Sequence, residues 1–388
     1  MSEHSFTETT STGWLGRLGG AFKGILVGIV LIIIAVPVLF INEGRAVKTR
    51  KTLEEGEKTF VSISADEVNP ANDGRLVYLT GPAISEDKLS DQQFGINSEA
   101  LRLRRVVEMY QWKENTQSET RKKLGGGEET VTTYDYVQGW NKGRIDSSRF
   151  KQQAGHLNPE MQVSGSEWIA DPINVGAFEL SPRLASGIDN FSSVSFDATQ
   201  EFPDEILGKK ATVSGGIIYL GSDTNAPTLG DLRISFEEAL PGDVSIISRQ
   251  RGNSFEPFVG KAGGSIDILE TGDKSAEEMF ISAHESNKIM TWILRALGVF
   301  LMFFGFSAIF RPLSVVADVV PFIGNIVGVG TNLVAILLAL PISLVIISFA
   351  WIYYRPLIGI PLLVLAVGGF AFLIWKLIAQ KKSDVIAV

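Results

Sequence analysis

The stretch Leu101–Lys113, LRLRRVVEMYQWK, combines residue types that could bind nucleic acid. Three arginines lie within residues 102–105, and Tyr110 and Trp112 follow. Basic side chains interleaved with aromatic rings form platforms for single-stranded nucleic acid. The charge balance argues against this chemistry, because the chain carries 35 Lys and Arg against 43 Asp and Glu, a net charge of −8. Such a surface repels a polyanion, so we predict no nucleic-acid partner.

The alternation of residue types in the same stretch predicts a half-buried strand instead. Leu101 and Leu103 fall on one face, and Arg102 and Arg104 fall on the other. Arg105 falls on the leucine face, so this interpretation requires a bulge or a buried ion pair there. We therefore expect an interior strand whose arginines pair with carboxylates of the same domain.

Two further patterns could support catalysis or metal binding. Adjacent glutamates do not share a face of a helix or strand, which makes four pairs poor acid–base dyads: Glu54-Glu55, Glu128-Glu129, Glu237-Glu238 and Glu277-Glu278. The chain contains no cysteine, and its three histidines are far apart in sequence: His4, His156 and His284. It also lacks the nucleophile-elbow, phosphate-loop and zinc-protease motifs. We predict no enzyme, no metal site and no cofactor.

Four apolar stretches indicate an integral membrane protein. The first, residues 24–41, has eighteen residues without a charge, and as a helix it would extend about 27 Å, close to the thickness of the hydrocarbon core. Three more transmembrane helices are predicted at residues 289–310, 333–354 and 357–375, with residues 311–332 as a connecting or re-entrant segment. The predicted fold class is integral membrane, α+β, with four transmembrane helices, one N-terminal and three C-terminal.

Residues 42–288, between the first and second of these helices, form a predicted β-rich domain. β-branched and aromatic residues alternate with polar ones in its predicted strands, and turn signals separate them: residues 75–80, 101–112, 129–137, 211–220, 232–238, 244–250 and 265–270. The glycines at 125–127 predict the tip of a hairpin. We expect polar tails at residues 1–23 and 376–388.

A helix start is predicted at the end of this domain. Residues 275–278, SAEE, form a capping box, in which the Ser275 hydroxyl accepts the backbone N–H of Glu278 and the Glu278 carboxylate accepts the N–H of Ser275. We predict one uninterrupted helix from Ser275 to Phe310. Arg311-Pro312 should end it, because proline disfavours helical geometry at the preceding residue.

Glycines recur at every fourth position from residue 16 to residue 28. They form a ridge on one side of the first helix, and such a ridge lets a second helix approach closely. We predict a helix-packing role for Gly20, Gly24 and Gly28, and weaker self-association when the ridge carries leucine.

Four charged residues are predicted to be embedded in the membrane or to lie beside it: Arg295, Arg311, Asp318 and Arg355. Asp318 is a functional candidate because a buried acid at membrane depth is costly. The alternative is an interfacial segment in which Asp318 contacts water or Arg311. Arg295 and Arg355 lie near helix ends, where long basic side chains can extend toward the headgroups.

Several short blocks resemble the LUMA family of membrane proteins, including its bacterial members. In chain order they are INEGRAVKT (41–49), NDGRLV (72–77), LRRVVEMYQW (103–112), GHLNP (155–159), GDLRISF (230–236), SRQRG (248–252), SAEEMF (275–280) and YRPL (354–357). The resemblance covers nearly the whole chain, with the same one-plus-three arrangement of helices.

The resemblance implies an extracytoplasmic domain and cytoplasmic termini. The charges alone do not decide this orientation, because six basic residues flank the helices on each side of the membrane. It also implies self-association and contact with other membrane proteins. The membrane would be the cell inner membrane of a bacterium, which we favour, or the endoplasmic reticulum and nuclear inner membrane of a eukaryote. We predict a homo-oligomeric scaffold in the lipid bilayer that organises membrane protein complexes or membrane structure. The alternative is an ion-conducting or transport-regulating channel formed by the transmembrane helices.

Overall fold

The computed structural model describes residues 5–196, 202–203, 205–356, 360–361, 364–365, 367–369 and 372. Its helices are α1 (Trp14–Thr59), α2 (Pro182–Ala185), α3 (Ala276–Ala317) and α4 (Pro321–Tyr354). Its strands are β1 (Ser5–Thr12), β2 (Val61–Ser62), β3 (Leu76–Ile84), β4 (Leu89–Asp91), β5 (Ile96–Ser98), β6 (Arg102–Lys122), β7 (Glu128–Lys142), β8 (Ser166–Ile169), β9 (Asn174–Val175), β10 (Phe178–Glu179), β11 (Ser192–Ser193), β12 (Glu205–Ile206), β13 (Lys209–Ser214), β14 (Ile217–Leu220), β15 (Leu232–Ala239), β16 (Gly242–Arg251), β17 (Ser254–Glu256), β18 (Phe258–Val259), β19 (Ser265–Ile266) and β20 (Ile268–Thr271).

Three helices in the described part of the chain are long and apolar enough to cross a membrane: α1, α3 and α4. One is N-terminal and two are C-terminal, and the β-rich domain lies between them in sequence. The structure therefore supports the membrane α+β class. The predicted fourth helix, residues 357–375, and the tail at 376–388 lie for the most part outside the described residues.

Helix α1 is longer than the apolar stretch that predicted it. It starts at Trp14, within the predicted N-terminal tail, and ends at Thr59, within the predicted domain. The residues after the apolar stretch are rich in Lys, Arg and Glu, which have high helix propensity, so the helix continues beyond the membrane. The tail also contains strand β1, which pairs with β7.

Helix α3 starts at the predicted capping box. The Ser275 Oγ accepts the Glu278 N–H at 3.3 Å, and the Glu278 carboxylate accepts the Ser275 N–H at 2.8 Å. The predicted end at Arg311-Pro312 is wrong, because the helix continues to Ala317. The proline lacks an N–H but its φ angle suits a helix, and Pro312 is buried where α3 continues.

The last turns of α3, a short turn and the start of α4 occupy residues 311–332, the predicted connecting segment. Helix α4 starts at Pro321, where the missing N–H of a first-turn proline costs no hydrogen bond. It returns toward the domain and ends at Tyr354, which lies against Gly44 of α1.

The domain contains two large sheets in the described part of the chain. The first has the order β1–β7–β6–β15–β14–β13–β12, with β8 also on β6 and β11 also on β15. The second has the order β10–β9–β3–β16–β17, with β2 also on β3 and β20 also on β16. The pairs β4–β5 and β18–β19 form separate two-stranded sheets.

The predicted strand at 101–112 is confirmed as the interior strand β6, with β7 and β15 as its neighbours. Leu101 and Leu103 are buried. Arg105 lies on the same face and forms the buried ion pair that its position requires, with Asp91 at 2.6 Å. Arg102 is also buried, contrary to the prediction of an exposed arginine face.

The domain is a stack of three layers. Leu103 of β6 and Ile246 of β16 belong to one buried cluster, so the two sheets pack face to face. The other face of the second sheet packs on the helices, where Ile247 shares a cluster with Leu53 of α1 and Phe280 of α3. The domain is thereby held on the same two helices that enter the membrane.

Candidate functional site

The polar residues of the membrane helices gather at the two ends of the apolar stretches. We call the group at the end far from the domain the distal cluster: Trp14, Arg17, Lys122 and Asp318. We call the group at the domain end the proximal cluster: Glu43, Arg295 and Trp351. Arg17 and Glu43 are 26 residues apart on α1, which corresponds to about 39 Å along a helix. The two clusters therefore bracket a layer of bilayer thickness.

Asp318 is the centre of the distal cluster. It follows the last turn of α3, and it is 1% exposed. Its carboxylate pairs with Arg17 at 2.5 Å and with Lys122 at 2.6 Å. Gly324 in the first turn of α4 makes room for this carboxylate, because a Cβ atom there would lie 1.8 Å from the Asp318 Oδ1.

The hairpin between β6 and β7 brings Lys122 to this position. Gly125 and Gly126 at its tip have φ angles of 86° and 79°, which favour glycine. A Cβ atom on Gly126 would lie 2.3 Å from the Trp14 ring, so only a glycine permits this approach. Arg17 donates to the Gly126 carbonyl at 2.6 Å and pairs with Glu128 at 2.9 Å. The tip of a domain hairpin is thus fastened to the start of α1 and to the α3–α4 turn.

The proximal cluster is a two-point ion pair covered by aromatic rings. Arg295 of α3 donates to both carboxylate oxygens of Glu43, at 2.6 and 2.9 Å. Trp351 of α4 donates its ring N–H to the same carboxylate. The guanidinium carbon lies 4.9 Å from the Trp292 ring centre and 5.6 Å from that of Trp351. One carboxylate thus ties together α1, α3 and α4.

A second polar network lies beside this pair on α1 and α3. Arg45 donates to Asn287 and to Thr291, both at 3.0 Å. Asn42 donates to the Thr291 carbonyl at 3.0 Å, and Asn287 donates to the Ala46 carbonyl at 3.1 Å. These contacts pair the side chains of this network within the chain, which lowers the cost of placing them near the bilayer.

The three glycines of the predicted ridge differ in how closely they are packed. Gly28 lies against Gly305 of α3. Gly24 lies at the margin of this contact, where a Cβ atom would be 3.9 Å from the Ala308 carbonyl oxygen. A Cβ atom on Gly20 would have no neighbour within 4 Å. The close approach at Gly28 is made within one chain and does not require a second copy.

The four charged residues predicted to lie in or beside the membrane have different surroundings in the structure. Asp318 contacts Arg17 and Lys122 and not Arg311, which is exposed on the last turns of α3. Arg311 is therefore not the ionic partner of Asp318. The true partners are 301 and 196 positions away in sequence, beyond the reach of local patterns. Arg295 is paired with Glu43, so it does not simply extend to the headgroups. Arg355 directly follows α4 and is half-buried.

Sequence reasoning missed Glu43, Arg17 and Lys122 as ionic partners. The signal that could have found them was the position of Glu43, the first charge after the first apolar stretch, opposite the arginine of the second one. Both clusters consist of paired charges, which hold the helices and the hairpin tip together. Among the described residues there is no group of three or more His, Cys, Asp or Glu that could hold a metal ion.

Comparison with known proteins identifies relatives of this chain. The family model described as Transmembrane protein 43 matches residues 109–356. Human Transmembrane protein 43 is 36% identical over 369 residues, which cover 92% of this chain and 90% of the human protein. The mouse protein is 34% identical over 363 residues, covering 90% and 89% of the two chains. The Drosophila melanogaster homolog is 29% identical over 371 residues, covering 92% and 96%.

No solved structure matches the chain. The match to the family model covers more than half of the sequence, and the mammalian relatives align along nearly all of it. The LUMA resemblance is thereby confirmed, and the chain belongs to the Transmembrane protein 43 family of multi-pass membrane proteins.

Proposed function

We propose that this protein is an oligomeric membrane scaffold, in which copies side by side hold their β-rich domains in fixed positions and organise other membrane proteins or the membrane itself. The observation that carries the proposal is a polar sheet beside the membrane helices. We call it the arm: β1 together with the parts of β6 and β7 beyond Glu114 and Tyr136, residues 115–122 and 128–135.

The arm is long enough to cross most of the hydrocarbon core. It leaves the domain after Glu114, whose carboxylate accepts the Lys151 N–H, and it reaches the distal cluster at Lys122. The eight residues from Asn115 to Lys122 extend roughly 26 Å at about 3.3 Å each, against about 30 Å for the hydrocarbon core. The arm therefore runs beside the apolar stretches of the helices.

Apart from Phe6, Val131 and Tyr134, the arm is polar on both faces. Thr7, Thr133 and Gln117 are directly paired across the three strands, so their side chains lie on one face. The next row of paired residues, Glu8, Thr132 and Ser118, lies on the opposite face. Its outer edges are also open in the described part of the chain, because β1 and the end of β6 each pair only with β7. Polar faces and open strand edges do not face lipid, since their backbone groups would lack hydrogen bonds. The arm needs protein or water around it.

A second copy of the chain can supply this surrounding. Strand β1 is antiparallel to β7, and β7 is antiparallel to β6, so β1 and β6 run in the same direction. The β1 edge of one copy can pair with the β6 edge of the next, which is a head-to-tail contact that can close into a ring. The apolar helices then face the lipid, and the polar arms face the interior of the oligomer.

Disulfide formation between copies tests this arrangement, because the chain contains no cysteine. We would combine Thr7→Cys on β1 in turn with Gln117→Cys, Glu119→Cys and Arg121→Cys on β6, which covers different staggers between copies. Within one chain these edges are two strand spacings apart, about 9.6 Å, which exceeds the limit of about 7 Å for a disulfide. Any disulfide therefore joins two copies.

We expect at least one pair to give a ladder of dimers, trimers and larger species in oxidised membranes. The single variants are the matched controls and should stay monomeric, because each carries only one of the two edges. The absence of a ladder in all three pairs, or equal linking of a single variant, would contradict the head-to-tail contact.

The alternative function, an ion-conducting channel, draws on the same polar arm, because a polar sheet among membrane helices can line a water-filled path. Ion flux into liposomes separates the two functions. A channel predicts flux that changes in Asp318→Asn, whereas a scaffold predicts no flux in either protein.

The LUMA resemblance supports the orientation and compartment that we propose. The β-rich domain is extracytoplasmic, in the cell inner membrane if the chain is bacterial, and in the endoplasmic reticulum and nuclear inner membrane if it is eukaryotic. A protease added to intact spheroplasts or sealed microsomes tests the side of the domain, which should be cut only when it faces the added enzyme.

A further inference from the structure

A cavity of about 340 Å³ opens at the domain end of the membrane helices, beside the proximal cluster. Glu43 and Arg50 of α1, Lys288 and Arg295 of α3, and Arg355 after α4 supply its charges. Both oxygens of Glu43 are already occupied by Arg295 and Trp351. The single acid of this set is therefore neutralised before any ligand enters.

The remaining charges in the cavity are positive. Arg50 pairs with Glu54 at 3.3 Å, but this pair is exposed and contributes little. Neither Lys288 nor Arg355 forms an ion pair within the described residues. The Nε atoms of Arg50 and Arg355 are also buried without a hydrogen-bond partner in the described part of the chain. These donors lack an acceptor, and the positive charge around them favours an anionic one.

The depth of the cavity indicates where that acceptor comes from. It lies at the domain-side ends of the apolar stretches of α1, α3 and α4, next to Trp292 and Trp351. Tyr353 and Tyr354 follow at the end of α4. Tryptophan and tyrosine are enriched at the level of the lipid headgroups. The cavity is therefore at the level of the headgroup phosphates.

We propose that this cavity binds the phosphate of an anionic phospholipid from the leaflet on the domain side. The guanidinium group of Arg355 and the ammonium group of Lys288 would hold the phosphate oxygens, because charge-assisted hydrogen bonds to phosphate are strong. The acyl chains would lie along the apolar surfaces of α3 and α4. A lipid held in this way joins the domain to the bilayer at a fixed position.

Lipid retention by the full-length protein tests the proposal. We would reconstitute it in nanodiscs of phosphatidylcholine with increasing phosphatidylglycerol and measure the bound phosphatidylglycerol by native mass spectrometry. Lys288→Gln and Arg355→Gln should each weaken retention about fivefold, the effect expected of one basic side chain near an anionic surface. Lys48→Gln is the matched control, because Lys48 is an exposed lysine on α1 at a similar height and outside this cavity. It should retain phosphatidylglycerol as the wild type does.

Lys288 is exposed, so its variant should fold even if Arg355→Gln does not. Inorganic phosphate is then added to the wild-type nanodiscs, and we expect it not to displace the lipid. Displacement by phosphate would show a site for free anions and overturn the proposal. Equal loss in Lys48→Gln, or no preference for phosphatidylglycerol over phosphatidylcholine in the wild type, would overturn it as well.

Discussion

Gly28 on α1 and Gly305 on α3 face each other so closely that a Cβ atom on Gly28 would lie 2.5 Å from the Gly305 carbonyl oxygen. The reverse relationship is almost as tight, since a Cβ atom on Gly305 would lie 2.9 Å from the Gly28 carbonyl oxygen. Helices without a side chain at the crossing can bring their backbones together, which is the main source of packing energy between helices in lipid. The predicted glycine ridge thus acts at Gly28, between two helices of one chain.

Replacing Gly28 with leucine should separate α1 from α3. Overpacking a close contact costs about 1–3 kcal/mol, so we expect a lower unfolding temperature in detergent. Gly20→Leu is the matched control on the same ridge and should leave this temperature unchanged, because Gly20 has open space around it. Equal behaviour of the two variants would show that the crossing contributes nothing to stability.

Asp318→Asn should release the tip of the arm. The substitution leaves Lys122 and Arg17 without their shared buried carboxylate, and breaking a buried ion pair costs about 3–5 kcal/mol. Trypsin should therefore cut faster after Lys122 and Lys123. Asn325→Ala removes a single hydrogen bond to Lys122 and should change the rate little. Wild-type cleavage rates in Asp318→Asn would mean that the cluster does not hold the tip.

Local patterns predicted the parts of the fold that depend on neighbouring residues. The capping box at Ser275, the turn at Gly125-Gly126 and the burial of Leu103 follow from spacing alone. The pairs Arg295–Glu43 and Arg17–Asp318 join residues 252 and 301 positions apart, and no local spacing encodes such contacts. The end of α3 was mispredicted for the same reason, because a local proline preference yielded to packing of the continued helix.

The arginines of β6 should differ in how much they contribute to the stability of the domain. Arg102 is 7% exposed and donates to the carbonyls of Ser186 and Ile188 and to Glu167. Arg102→Ala leaves these acceptors unpaired, at a cost of about 1–3 kcal/mol for each buried group. Arg104 is more exposed and forms long ion pairs of 3.5 Å, so Arg104→Ala should cost less than about 1 kcal/mol. Urea unfolding of the two variants measures the difference, and equal midpoints would refute it.

The domain should lose stability at high pH through Tyr136. Burial, together with the hydrogen bond to Glu114, raises the pKa of Tyr136 to about 12. The neutral form is therefore favoured in the folded state, so this stability is complete below the ordinary pKa of 10.0 and is lost as the pH rises to about 12. The difference in phenolate absorbance between the wild type and Tyr136→Phe should titrate near the raised value. A titration of this difference near 10.0 in the folded protein would contradict the prediction.

Helix α3 should behave as a rigid stalk between the domain and the membrane. It is continuous from Ala276 to Ala317, and glycine and proline are absent between its start and residue 297. Spin labels at Glu277 and Ala296 report its length, since both side chains are exposed, whereas a label at Gly298 would collide with Leu39. The two labels are nineteen positions apart, which corresponds to about 28 Å along the axis. We expect one narrow distance distribution near this value in nanodiscs, and the same distribution in the Gly20→Leu background. A hinge at the membrane surface would instead give a broad or clearly shorter distribution, in which case domain motions could not be transmitted through α3.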